Sequence, residues 1–349
     1  MNYFFLRSRK QQLLFIEGKT ERNKVIDNIK KLRSGLTNSI PEKKLTGNLI
    51  LGTWNIRELG GTKYGGRMTE SLYYKAEVIS RFDLIAIQEV REDLGDFNDI
   101  MKILGKDYAV YISVVTQGTS GNKERLAFIY DKRTVSFEDI AGQIVLPPGK
   151  KSVDQFARTP YVLRFQAGWI RFDIATVHIY YGKDTKSSVE YKRRVDEIKS
   201  LVDFFVKYTV DKTTDIHNVF LLGDFNIEDT KSKTYEAATS SKFQIPDAIL
   251  TGNFPSNLKQ DKIYDQILYF SRYNNLKFSK AGVFNFQEFV FEKPESYKNR
   301  IKAHLQKDLA ANKFKDFTTY QMSDHLPLWV ELKTDRAENY LDYLKKLDD

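Results

Sequence analysis

Val219-Phe-Leu-Leu-Gly-Asp-Phe-Asn-Ile227 sets four apolar residues ahead of Gly-Asp-Phe-Asn. The run reads as a buried strand that leaves the core at Gly223 and presents Asp224 and Asn226 at its carboxyl end, where clefts form. The same tetrapeptide also suits a plain turn capped by aspartate. Far upstream, Leu51-Gly-Thr-Trp-Asn-Ile56 has the same form, a strand ending in an aromatic and then Asn. Two similar halves facing one site would leave such an echo, and so would chance.

Working outward, short apolar runs bounded by polar turns recur at Leu49–Trp54, Asp83–Gln88, Tyr108–Val115, Leu126–Tyr130, Tyr161–Phe165, Ile170–Ile179, Ile263–Phe270 and Leu326–Leu332. Each reads as a strand. Helical spacing marks Leu72–Ile79, Val189–Phe205 and a piece near Tyr297–Leu309. Strands outnumber helices, which suits packed sheets covered by helices. Ahead of them Val25, Ile29, Leu32 and Leu36 lie on one face of an amphipathic helix, which Gly35 and Pro41 are expected to end.

The 349 residues carry 41% hydrophobic and 29% charged side chains, so a sizeable core can be buried and the chain is neither disordered nor of low complexity. Cysteine is absent, which excludes disulfides, thiolate zinc sites and cysteine nucleophiles. The apolar start breaks at Arg7, and Leu13–Ile16 is too short for a leader or a membrane span, so a cytoplasmic location is expected. Net charge is +9. Residues 1–47 hold eleven Lys or Arg against four Asp or Glu, a balance of +7 that leaves only +2 for the rest. The excess therefore describes a basic arm, either a solvated helix face or a phosphate-binding element.

Polar side chains gather where apolar runs end: Asn55, Glu89, His178, Asp224, Asn226, Asp265 and Asp324-His325. Hard oxygen donors and two imidazoles without thiols suit Mg²⁺, Mn²⁺ or Ca²⁺ better than structural zinc. Phosphodiester hydrolysis asks for the same inventory. It needs an activated water, neutralised phosphate charge and a proton for the leaving oxygen. Of the four histidines, His217 and His304 read as packed or surface residues, whereas His325 in Ser323-Asp-His-Leu-Pro327 joins a ligand to a base.

Trp54-Asn-Ile-Arg57, Ile87-Gln-Glu-Val-Arg91, His178, Gly223-Asp-Phe-Asn226, Tyr264-Asp265 and Ser323-Asp-His325 follow one another in the order found in the endonuclease/exonuclease/phosphatase superfamily. Lys123-Glu-Arg-Leu-Ala-Phe-Ile-Tyr130, Arg158-Thr-Pro160 and Phe284-Asn-Phe-Gln287 further resemble the deoxyribonuclease I-like branch. The likeness runs from about Leu49 to Leu332. It implies an α+β fold, a four-layer α/β/β/α sandwich of two packed mixed sheets flanked by helices. The expected division is a basic helical arm (1–47), a catalytic domain (48–333) and a C-terminal helical extension (334–349, its helix over Asp335–Asp349).

By that resemblance Glu89 and Asn55 hold the principal metal, and Asp224, Asn226 and Asp324 line the phosphate side or a second metal position. His325, oriented by Asp265, activates water. His178, oriented by Glu124, protonates the leaving oxygen. Arg57, Arg91 and Arg158 grip backbone phosphates, a surface salt bridge being an equal reading for Arg158. Asn122 stands where the nuclease branch has a groove-stacking tyrosine, and residues 287–321 are longer than in the family, with basic helical character.

The implied activity is metal-dependent cutting of DNA to 5′-phosphate and 3′-hydroxyl ends. The alternatives are a phosphodiesterase or phosphatase for lipid or inositol phosphates, which share this fold, and a catalytically silent nucleic-acid-binding module. Lys262-Ile-Tyr-Asp-Gln266 replaces the inositol phosphatase motif, and the complete ligand set argues against silence.

Overall fold

In chain order the elements of the computed structural model are α1 (Lys19–Ser39), β1 (Asn48–Leu59), α2 (Thr69–Ile79), β2 (Leu84–Val90), α3 (Gly95–Leu104), β3 (Tyr108–Ile112), β4 (Arg125–Asp131), β5 (Ser136–Gln143), β6 (Tyr161–Ala167) and β7 (Ile170–His178). There follow α4 (Val189–Val210), β8 (Asn218–Asp224), α5 (Lys233–Thr239), α6 (Asp247–Gly252), β9 (Asp265–Ser271), β10 (Phe278–Val283), α7 (Pro294–Leu305), α8 (Phe314–Gln321), β11 (Leu328–Lys333) and α9 (Ala337–Lys345). The structure describes residues 1–7, 14–116, 122–146, 153, 155–210 and 217–346.

One sheet has six strands in the order β10-β11-β1-β2-β4-β3, the other five in the order β5-β6-β7-β8-β9. Each contains one parallel pair, β1 with β2 and β7 with β8, and is otherwise antiparallel. The period-2 alternation of strands explains how they stack. Leu49, Leu51, Leu84, Ala86, Leu126 and Phe128 point into the core shared with the second sheet. Their neighbours Ile50, Ile85, Ile87, Ala127 and Ile129 point the other way, into a core closed by α1, α2 and α3. On the far side Ile198, Leu201, Val202 and Phe205 of α4 cover the five-stranded sheet. The result is the four-layer sandwich.

Helix α1 buries Val25, Ile29, Leu32 and Leu36, as their spacing predicts, but it runs through Gly35 to Ser39. The reason is packing. A Cβ at Gly35 would stand 2.3 Å from the Phe289 ring, so this glycine admits a neighbouring aromatic instead of ending the helix. Several of the arm's cations are also engaged, Lys24 with Glu21, Lys31 with Glu292 and Arg33 with Glu77. Strands β5 and β10 and helices α3, α5 and α6 have no counterpart in the sequence reading, whereas α7 and α8 fall in the stretch 287–321 read as helical. The C-terminal helix covers Ala337–Lys345 and buries none of its side chains. Residues 347–349 of the expected helix lie outside the described residues. No described helix is long and apolar enough to cross a membrane.

Candidate active site

Register places the chemistry. In the five-stranded sheet His178 pairs with Asp224 across β7 and β8, and Asp224 pairs with Asp265 across β8 and β9, so three adjacent strands deliver one polar side chain each to the same end. Gly223 allows the close approach. Its φ is 144°, and a Cβ there would lie 2.1 Å from the Val177 carbonyl oxygen. In the other sheet the ends of β1 and β2 leave regular pairing after Asn55 and Ile87. Arg57, Glu58, Glu89 and Asn226 all have positive φ between 46° and 62°, a conformation costly for residues other than glycine that re-aims side chains at functional sites.

The two imidazoles converge. His178 Nε2 lies 3.5 Å and His325 Nε2 3.7 Å from the same oxygen, Asp224 Oδ2. Each ring turns its Nδ1 to a separate buried carboxylate at 2.8 Å, Glu124 for His178 and Asp265 for His325. Each pair spans the two sheets. His178 belongs to the five-stranded sheet and Glu124 precedes β4 of the other, whereas His325 precedes β11 of the six-stranded sheet and Asp265 begins β9. Tyr264 covers the His325 ring at 5.6 Å between centroids.

Asn55 lies between two acids, its Nδ2 donating to Glu89 Oε1 at 2.9 Å and to Asp224 Oδ2 at 3.0 Å. Its Oδ1 accepts the Arg57 N–H at 3.0 Å, so in this conformation it ties the two carboxylates together. The Glu58 N–H holds Glu89 Oε2, and the Asn226 N–H holds Asp224 Oδ1. Asn226 turns its own side-chain amide to the Ile179 carbonyl. The acids stand close enough to oppose one another. Burial raises Glu89, and Glu124 and Asp324 push the same way, partly offset by His178. Burial alone would lower His325, but Asp265, Asp224 and Asp324 lift it well above its ordinary value. Burial and Arg158 would lower His178, yet Glu124 and Asp224 raise it. Burial would raise Glu124, and His178 and Arg158 outweigh it and hold the carboxyl below its usual range.

A crowded set of carboxylates with raised imidazoles is an environment that a divalent cation relieves, and the donors are oxygens suited to a hard ion. Ligand atoms of Glu89, Glu124 and His178, and those of Asp224, Asp265 and His325, form two groups each within 4.8 Å. Glu124 and Asp265 are committed to their histidines, which leaves Glu89 and Asp224 as the anionic donors free to meet an ion.

The remaining expected residues fall elsewhere on the rim. Asp324 is half exposed and pairs with Arg57 at 3.2 Å, outside both ligand groups. Arg91 binds Glu58 at 2.9 Å and the Asn122 carbonyl, and Asn122 has a left-handed φ of 54°. Arg158 departs most from expectation. Its side chain is 6% exposed and bound to Glu124, so it stands behind His178 and faces no surface that a strand would touch. Sequence reasoning did not find Thr319 and Tyr320 of α8, which hydrogen-bond and stack on Arg57, the ring 4.0 Å below its guanidinium. Nor did it find the buried Lys75, whose amine donates to the Met322 carbonyl behind the Ser323–His325 turn, or Arg67, which clamps the carbonyls of Arg57 and Glu58.

Behind Arg158, the Ala157 N–H donates to Glu197 of α4 at 3.2 Å. Burial pushes this carboxyl from 4.5 up to about 7. A raised acid contributes stability that is fully present below the unfolded value and is lost as pH rises through the folded one. Wild-type stability relative to Glu197→Gln should therefore fall by about 3 kcal/mol between roughly pH 4.5 and pH 7 and stay level above. Urea midpoints of both proteins measured across that window check it; a pH-independent difference would refute the assignment.

The fold is of the endonuclease/exonuclease/phosphatase type, and its cleft gathers two imidazoles with carboxylates that could hold a metal ion. The chain is similar to human deoxyribonuclease-1, with 27% identity over 232 residues covering 62% of this chain and 76% of that protein. Among solved structures it matches an endonuclease/exonuclease/phosphatase family protein of Bacteroides thetaiotaomicron, with TM-score 0.53, 16% identity and 82% and 98% of the two chains covered. A mannosyl-6-phosphatase of the same organism matches with TM-score 0.53, 15% identity and 81% and 99% coverage. No family model matches the chain.

Proposed function

We propose that this protein is a metal-dependent endonuclease that cuts DNA to leave 5′-phosphate and 3′-hydroxyl ends. The observation that carries the reading is the convergence of both imidazoles on Asp224, each anchored at Nδ1 by its own carboxylate. Anchoring at Nδ1 fixes the tautomer and leaves Nε2 to exchange protons on the cleft side. His325 Nε2 then takes the proton of the attacking water, and His178 Nε2 returns one to the leaving 3′ oxygen. Asp265 and Glu124 stabilise the imidazolium form that each ring passes through. Arg57, fixed on Tyr320, offers its guanidinium to a phosphate oxygen at the cleft edge. Glu89 and Asp224 would hold a Mg²⁺, with Asn55 setting their spacing. When bound, such an ion neutralises phosphate charge and lowers the proton affinity of the nearby imidazoles, returning His325 to the neutral form a base requires.

Supercoiled plasmid should be nicked with Mg²⁺ and left intact with EDTA. Independently of activity, saturating Mg²⁺ should stabilise the protein by about 2.7 kcal/mol at a hundredfold excess over Kd, and Glu89→Gln should remove that shift. Hydrolysis of inositol phosphates or lipid headgroups with no nicking would overturn the DNA reading in favour of a phosphatase, as one structural neighbour, the mannosyl-6-phosphatase, is named.

A further inference from the structure

Residues 287–321 join the rim of the active site to a second concavity. Between the turn at Lys63–Gly65 and the end of α7 lies a cavity of about 660 Å³, lined by Lys63, Tyr64, His304, Lys307, Asp308 and Lys313. Asp308 is bound to Lys302 at 3.1 Å, and among the described residues no acid is paired with Lys307 or Lys313. The wall is built firmly. The Tyr64 carbonyl meets His304 Nε2 at 3.0 Å, the Tyr64 hydroxyl donates to Asp316 at 2.6 Å, and its ring packs edge-on against Phe317 and Tyr320.

Lys63 connects the cavity to the catalytic rim. Tyr320 carries two cations, the Arg57 guanidinium at 4.0 Å and the Lys63 amine at 4.2 Å from its ring centre. Arg57 reaches Asp324, the neighbour of His325, and Lys63 lines the cavity. Asp316 lies between Arg57 and Lys63, 3.8 and 3.4 Å from their nitrogens, so the unbalanced positive charge along the path from His325 falls at its far end, on Lys307 and Lys313. A single phosphate at the catalytic centre would leave Lys307 and Lys313 unmatched, whereas a ligand with phosphates at regular intervals reaches both.

We propose that this groove takes the backbone phosphates of a nucleic-acid strand flanking the bond to be cut. The proposal rests on the nuclease reading above and extends it from the reacting phosphate to its neighbours. Lys307 and Lys313 act there as point charges on phosphates, without reading bases.

The test is binding of a fluorescent DNA duplex in EDTA, by anisotropy across a salt series, for wild type and Lys307→Gln/Lys313→Gln. Hydrolysis of bis(p-nitrophenyl) phosphate with Mg²⁺ serves as a measure of the catalytic centre, which so small a diester reaches alone. The double variant should bind more weakly, with a slope of log K against log salt shallower by about two, and should hydrolyse the small diester at the wild-type rate. Unchanged affinity and slope, in a protein that nicks plasmid normally, would overturn the groove and leave the nuclease reading standing. A wild type that hydrolyses the small diester but neither binds nor nicks DNA overturns both.

Discussion

His325→Ala should lower Mg²⁺-dependent nicking by about 10²- to 10⁴-fold, the usual loss when a general base is removed. The side chain is 11% exposed, lies 2.8 Å from Asp265 and has no second imidazole positioned to replace it, because His178 is held by Glu124. Asp265→Asn should reproduce much of the loss, since the amide can hold the ring in the wrong tautomer. The alanine variant leaves Asp265 buried without its partner and so loses stability as well. Single-turnover nicking at a temperature where circular dichroism shows the variant folded separates the two effects, and added imidazole should restore part of the rate. Full activity of folded His325→Ala would end the assignment.

Glu124→Gln is expected to damage both chemistry and stability. The carboxylate is 1% exposed and joins His178 to Arg158, itself buried, so its loss strands a guanidinium in the interior at a cost of about 3–5 kcal/mol. The same substitution frees the His178 ring, and nicking should fall by about 10²- to 10⁴-fold. Arg164→Met provides the control. Arg164 and Asp173 form another buried pair, at 2.5 Å and 3.0 Å between β6 and β7, remote in the sheet from the strand ends that carry the two histidines. That variant should lose comparable stability in chemical denaturation and keep its turnover below the melting transition. Equal loss of turnover in both folded variants would mean that Glu124 acts through global packing and not through His178.

Much of this architecture was legible because strands buried on both faces declare themselves as apolar runs, and the site because polar residues end them. Nine such runs, from Leu49–Trp54 to Leu326–Leu332, became strands. Strands β5 and β10 escaped because they sit at sheet edges with most residues partly or fully exposed, so no apolar run marks them. Gly35 misled because propensity describes an isolated helix, whereas here the Phe289 ring decides. At the site, strand ends named the residues but not their partners. Nothing in Arg158-Thr-Pro160 says that the guanidinium turns inward to Glu124, and nothing in the sequence joins Tyr320 to Arg57 across more than 250 positions. Those are tertiary facts, set by how two sheets dock.

That docking has a consequence. Because each imidazole takes its orienting acid from the opposite sheet, the two dyads work as reciprocal latches, and neither half of the sandwich carries a complete proton relay. A relative slip of about 1 Å would misalign both histidines together, enough to cost on the order of 10²-fold in rate. Under the proposed mechanism the two sheets must therefore be fully docked before either histidine is correctly oriented.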